Sequence, residues 1–245
     1  MVTRIATSVL VGAVLSACAV AQAAVMSPIT ADLGSASTNA SASSGPGNGV
    51  ADGGRDNIAV GHGAAGEFRG VVFAFKLPTL PAGETVTSAQ FSADYWTPQG
   101  DVSGWGVNAS AVRVAPTAAV AASDYGQWTG GVYSNGTKLQ SDFVTGATAG
   151  SYGSLNVSLD STAQSTLGSY LAGNYAAGSY VFISLNANAI IPDAQIGKRL
   201  FFTSNKADGS IVFAPELTLT TVPEPASLGL LGLSVVGLLG RRQAR

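Results

Sequence analysis

The sequence predicts an all-β protein: a jelly-roll-type antiparallel β-sandwich with one short helix, flanked by an N-terminal signal and a C-terminal membrane helix. Three observations carry that prediction. Short runs of apolar–polar alternation recur along the 245-residue chain, which is the period of a strand with one buried face. Glycine is abundant, at 31 residues, and gathers with Ser, Asn and Pro between those runs as turns. A single stretch, 161–173, carries the apolar spacing of a helix. Many short strands, one helix and Gly-rich turns are the ingredients of a sandwich. No unit of about 20–50 residues repeats, which excludes a solenoid or propeller.

Bulk properties narrow the function. Charged residues are 11% of the chain, against about 25% in an average globular protein. Residues 24–221 hold 13 acidic and 8 basic residues, a formal −5, with no basic run. Nucleic acid is therefore not an expected partner. Cys18 is the sole cysteine and lies in the leader, so the body has neither disulfide nor thiol chemistry. The mean hydropathy of +0.30 is raised by the two termini.

Residues 1–23 read as a secretory signal. Arg4 supplies the positive start, residues 5–17 the apolar core, and Ala21-Gln22-Ala23 a small-x-small site for signal peptidase. Leu15-Ser16-Ala17-Cys18 also fits a lipoprotein box that would acylate Cys18. Cleavage after Ala23 is preferred, because a lipid and a C-terminal anchor would be redundant. Residues 24–221 form the body. Its first part starts apolar and becomes an exposed loop around Gly45-Pro-Gly-Asn-Gly49.

From Arg69 the pattern is strand. Val71, Phe73, Phe75 and Leu77 point one way, and Gly70, Val72, Ala74 and Lys76 the other. Pro78-Thr-Leu-Pro-Ala-Gly83 is a turn, after which Ala89, Phe91, Ala93 and Tyr95 mark one face of a strand over 85–97. The spacing predicts that these two strands pair antiparallel with one buried face. Residues 106–115 form a third strand with blurred alternation, and residues 118–153 read as loops and short edge strands. Leu155, Val157 and Leu159 mark the next strand. Ser161-Thr-Ala-Gln164 fits a capping box, Ala163, Leu167, Tyr170 and Leu171 share a helix face, and Gly173 closes the helix. Val181, Ile183 and Leu185 point inward from a strand over 179–186, and segments 200–204 and 210–221 complete the body.

Catalytic chemistry is sparse. The body's one histidine, His62, sits in a Gly-His-Gly loop, and no Gly-x-Ser-x-Gly elbow exists to supply a nucleophile beside it. A zinc centre needs three or four His or Cys ligands. Ten Asp and three Glu could furnish a glycosidase pair, but Glu67, Glu84 and Glu216 sit near strand ends or turns and nothing marks two of them as partners. The chain is thus not expected to be an enzyme, and no cofactor is expected apart from a candidate calcium ion. Asp52, Asp56 and Asn57 group oxygen ligands on a flexible turn, which suits calcium; an Asx-stabilised turn explains the same residues. Trp105, Tyr125, Trp128 and Tyr133 fall in Gly-rich loops, where their rings could stack on sugars. The same aromatics could instead pin those loops to the sandwich, and Trp96 at a strand end suits the core.

The tail has three parts. In residues 222–225 the prolines fix their own φ, and Pro225 pushes Glu224 toward extended backbone. Residues 226–240 are an unbroken run of apolar and small residues, and Arg241, Arg242 and Arg245 end the chain as a basic stop. Pro223-Glu224-Pro225, apolar run and basic end resemble the PEP-CTERM sorting signal, read by exosortases in Gram-negative bacteria that make exopolysaccharide. An ordinary C-terminal membrane helix behind a proline turn is the alternative to that reading. The resemblance implies export through the inner membrane, transient anchoring there by a short helix over 226–240, cutting at the tripeptide, and release to the cell surface or extracellular matrix.

The body has a resemblance of its own. Gly54-Arg-Asp-Asn57, Arg69-Gly70 opening a strand, Phe75-Lys-Leu-Pro, Leu80-Pro-Ala-Gly83 and Ser88-Ala-Gln-Phe91 stand in order. Leu159-Asp-Ser-Thr162 before the helix, the strand near Val181 and Ala214-Pro-Glu-Leu-Thr-Leu219 follow. This order is similar to the DNRLRE-type jelly-roll domains, which are akin to carbohydrate-binding modules; the arginine those domains place near the terminal proline is missing. The implied partner is exopolysaccharide. A structural biofilm component that binds no glycan, or a polysaccharide-cleaving enzyme, are the other readings.

Overall fold

The computed structural model describes residues 22–26, 30–37, 57–62, 67–95, 104, 106–125, 127–129, 132–134, 136–145, 155–188, 199–203 and 215–223. Three strands come first: β1 (Gln22–Met26), β2 (Thr30–Ser37) and β3 (Asn57–His62). The apolar alternation then produces β4 (Glu67–Lys76), β5 (Glu84–Tyr95) and β6 (Val107–Ala115). A short 3-10 helix (Ala122–Tyr125) leads to β7 (Gln127–Thr129), β8 (Val132–Ser134) and β9 (Thr137–Val144). β10 (Leu155–Ser158) precedes the helix α1 (Ser161–Asn174), and β11 (Tyr180–Ala187), β12 (Arg199–Thr203) and β13 (Glu216–Pro223) follow.

The strands hydrogen-bond in the order β1-β13-β5-β12-β3-β4-β11-β6-β9, with β2 also on β4 and β10 also on β5. The pairs are antiparallel. This path doubles over into two layers. Phe73 and Phe75 of β4 meet Phe91 of β5 at 5.8 and 5.9 Å between ring centres, and Phe91 stacks on Phe143 of β9 at 5.5 Å. Neither β4 nor β9 neighbours β5 in the hydrogen-bonded order, so these rings meet across a core rather than along a sheet. β4, β11, β6 and β9 with β2 make one layer, β5, β13 and β1 with β10 the other, and β3 and β12 join them. The result is an antiparallel β-sandwich with one helix.

The expected β4–β5 hairpin does not form. The connection is too long and too proline-rich for a tight turn, and its start is tied elsewhere: the Leu77 amide donates to Ser179 O at 2.8 Å and the Gly178 amide to Leu77 O at 3.0 Å. The Glu84 amide then donates to Pro81 O at 3.1 Å and turns the chain into the opposite layer. β4 also differs from the expectation of one buried face, since Val71, Val72, Phe73, Ala74 and Phe75 are all fully buried. Its second face lies under Tyr125 and beside Phe182, in a smaller apolar cluster edged by Val112, Ala118 and Val120. Arg113 fixes this cover: it donates to both oxygens of Asp124 at 2.6 and 2.8 Å and to Ala119 O at 2.8 Å, with its guanidinium 3.9 Å over the Phe182 ring.

The helix forms one residue away from the expected cap. Asp160, not Ser161, is the N-cap, accepting from the Ala163 amide at 2.8 Å, while the Gln164 side chain donates to Leu159 O. Ala163, Leu167 and Leu171 are buried on the expected face. The helix also presses Gly168 onto β5, where a Cβ would stand 2.7 Å from Ser88 Cα and 2.8 Å from Thr87 O.

The expected C-terminal membrane helix is overturned: among the described residues no helix is long and apolar enough to cross a membrane. The apolar run of the tail lies outside the described residues. Its own arithmetic is unfavourable. About 15 residues at ~1.5 Å each give ~22 Å against a ~30 Å hydrocarbon core, and four of them are glycines, poor helix formers. The anchoring in the inner membrane that rested on this helix, and the membrane as a partner through it, fall with it.

Candidate functional site

The site with the most to build on is the junction between body and tail. β13 earns its place by alternation: Leu217 and Leu219 are fully buried in the core, while Glu216 is exposed. The strand lies between β1 and β5. On the β5 side the register runs from Glu216↔Ser92 to Thr220↔Ser88, then shifts between Thr220 and Thr221. Past the shift, Thr221 faces Val86, Val222 faces Thr85 and Pro223 faces Glu84. On the β1 side, Gln22 faces Thr221 and Ala23 faces Thr220.

Side-chain bonds hold this end. The Thr221 hydroxyl donates to Glu84 Oε2 at 2.5 Å, and the Thr87 hydroxyl donates to Thr220 O at 3.2 Å. Thr221 is buried, and Val222 and Pro223 are half-buried. Pro223 suits the last position of a strand, because it has no N–H to offer a further ladder bond. The first residue of the tripeptide is thus a residue of the sheet. Glu224, Pro225 and the basic stop of Arg241, Arg242 and Arg245 lie outside the described residues. Glu84 and Thr87 were not legible as site residues: they stand more than 130 positions from their partners, and no local motif marks such a pairing.

The other candidate residues scatter. Trp128 and Tyr133 lie directly opposite one another in the two-stranded β7–β8 sheet, which shares no strand pairing with the main one. Tyr125 is only 1% exposed and belongs to the apolar cluster under the 3-10 helix, so it offers no ring face to solvent. Trp105 lies outside the described residues, as do Asp52 and Asp56; Asn57 opens β3 opposite Thr203. Among the described residues no group of three or more His, Cys, Asp or Glu could hold a metal. His62, expected in a loop, is the last residue of β3 and faces Phe68.

Ionisable groups with displaced pKa values are structural rather than clustered. The hydrogen bond it donates to Asp124 holds the Arg113 guanidinium above its usual range, against the pull of burial. Burial alone raises Tyr95 and Tyr170, and pushes Tyr175 up to about 12. The Tyr175 hydroxyl donates to Pro78 O at 2.7 Å, which ties the end of α1 to the β4–β5 connection.

No curated protein matches the chain. A family model described as the PEP-CTERM protein-sorting motif matches residues 221–243. That span begins inside β13, at the residue whose hydroxyl bonds Glu84, and covers the tripeptide, the apolar run and two of the three arginines. The chain therefore carries a PEP-CTERM sorting motif near its C-terminus, grown directly out of a strand of a β-sandwich body.

Proposed function

We propose that this is an exported protein, freed of residues 1–23 by signal peptidase and sorted by an exosortase to the cell surface or extracellular matrix. The sorting motif at 221–243 carries the reading. An enzyme that reads a linear motif needs extended backbone, and Pro223 and Pro225 impose it on the residues they flank. The test is Pro223→Ala with Pro225→Ala. The double variant should keep its tail and stay with the cell, while the wild type loses it. Unchanged mature mass and location in the variant would refute the sorting role.

In this reading the body is cargo that binds or supports rather than catalyses, and exopolysaccharide is its partner. The register that sets Trp128 opposite Tyr133 in the β7–β8 pair supports that finer step, since a stacking platform of two aromatic residues would draw on such facing positions. A platform of this size gives millimolar to micromolar dissociation constants, roughly −4 to −8 kcal/mol. Trp128→Ala should then weaken co-sedimentation with exopolysaccharide and leave the melting temperature unchanged. Lower melting with unchanged retention would make Trp128 a packing residue, and the body a structural matrix component.

A further inference from the structure

We propose that β5 latches Pro223, the residue that opens the sorting tripeptide, so that the opening of the last residues of β13 sets how fast an exosortase-type enzyme acquires its substrate. The inference rests on the sorting role above and adds the residues that regulate it: Glu84, Thr85 and Thr87 as positioning residues, acting through Thr220, Thr221 and Val222.

The argument starts from distance. No linker separates the body from the motif, because Pro223 is itself paired with Glu84. An enzyme that binds an extended peptide does so through the backbone groups a strand edge would use. At about 3.3 Å per residue, four residues upstream of Pro223 reach Leu219, whose side chain is fully buried. Full engagement therefore requires the end of β13 to leave β5. The register shift between Thr220 and Thr221 marks where the strand divides. Upstream of it Leu217 and Leu219 anchor the chain in the core; downstream Val222 and Pro223 are half-buried and contribute less. The Thr221–Glu84 and Thr87–Thr220 bonds sit at that division.

The N-terminus sharpens the point. Gln22 and Ala23 are the β1 residues opposite Thr221 and Thr220, and signal cleavage after Ala23 would remove both. The end of β13 is then held from the β5 side. Strand ends open locally at far lower cost than whole domains unfold, so the latch is the step a substitution can tune.

Pulse-chase measurement of tail removal in an exosortase-bearing host tests this in both directions. Thr221→Val removes the hydroxyl and keeps the branched shape, and should speed removal roughly three- to tenfold, the effect of one lost hydrogen bond on an opening equilibrium. Thr85→Cys with Val222→Cys places two cysteines in facing positions of a body that has none. Once oxidised, that pair should slow removal by at least about tenfold, and dithiothreitol should restore it. Pro223→Ala with Pro225→Ala is the control. If the control is processed normally, the sorting role fails. If the control stays unprocessed while the cysteine pair and Thr221→Val both proceed at wild-type speed, the latch is overturned. Should Thr221→Val fold poorly, the reducible pair decides alone.

Discussion

Body and tail are legible by opposite means, and they meet on one strand. The body has a describable architecture, with rings from both layers interlocked around Phe91, yet no curated protein matches it. The tail matches a family over residues 221–243, yet only its first three residues belong to the described structure. A sorting motif is read as a short linear sequence, so three residue types in order suffice to identify it. A β-sandwich is defined by which positions are buried, and many unrelated sequences satisfy that demand. β13 must answer both constraints. Its Leu217 and Leu219 are fixed by the core, and its last residues by the motif.

Perturbing the body should alter stability by amounts that rank its contacts. Phe91→Ala removes the ring that touches Phe73, Phe75 and Phe143, and should cost about 3–5 kcal/mol in denaturant unfolding. A cost below about 1 kcal/mol would mean the layers are not packed through it. On the second face of the β4–β11–β6 layer, Asp124→Asn leaves Arg113 without its ionic partner. Asp124 is fully buried and Arg113 is 30% exposed, so solvent compensates part of the loss. The expected cost is about 1.5–3 kcal/mol, smaller than that of Phe91→Ala; the reverse order would move the body's centre of stability to the outer cluster.

Gly168→Ala separates two effects of opposite sign. Helix propensity alone would stabilise by about 1 kcal/mol. The new Cβ would meet β5 backbone at 2.7 Å, and backbone does not step aside as a flexible side chain does. Overpacking costs about 1–3 kcal/mol, so a net loss is expected, and a net gain would detach α1 from β5.

The smallest effect concerns pH. Tyr175 has its pKa raised by burial to about 12 in the folded chain, above the ordinary value near 10. Its contribution is therefore complete below about pH 10, and is lost as pH rises toward about 12, because the unfolded chain releases the proton first. Tyr95 and Tyr170 shift the same way, so Tyr175→Phe should flatten the alkaline fall in melting temperature without abolishing it. An unchanged alkaline limb would show the Tyr175 hydroxyl to be solvated.

What could be read in advance follows the strength of the local signal. β4, β5, β10 and β11 announce themselves because large apolar residues alternate in them. β6 looked blurred for a reason now visible: its register shifts between Phe182 and Ile183 of β11, so Val107, Ala109 and Ala111 face the core and the period then slips to reach Val114. β2 offers Leu33 as its one large apolar residue, so no alternation marks it as a strand. β9 falls in the stretch 118–153 that reads as loops and short edge strands, and it does end the strand order, but its bounds are not legible. Its buried residues are Leu139, Phe143 and Val144, and Asp142 between them has φ 54°, so no alternation survives. Pairing partners were the least legible of all, since the choice between a β4–β5 hairpin and two layers depends on hydrogen bonds between Leu77 and the distant pair Gly178 and Ser179, just ahead of β11. The same holds at the junction, where the tripeptide was evident and its partners on β5 were not.

The most direct test is the intact mass of the protein recovered outside the cell. A chain beginning at Ala24 and ending at or near Pro225 is the expected result, with β13 retained whole and the apolar run and basic stop gone. A mass that still includes residues 226–245, in protein found outside the cell, would contradict sorting by removal of the tail.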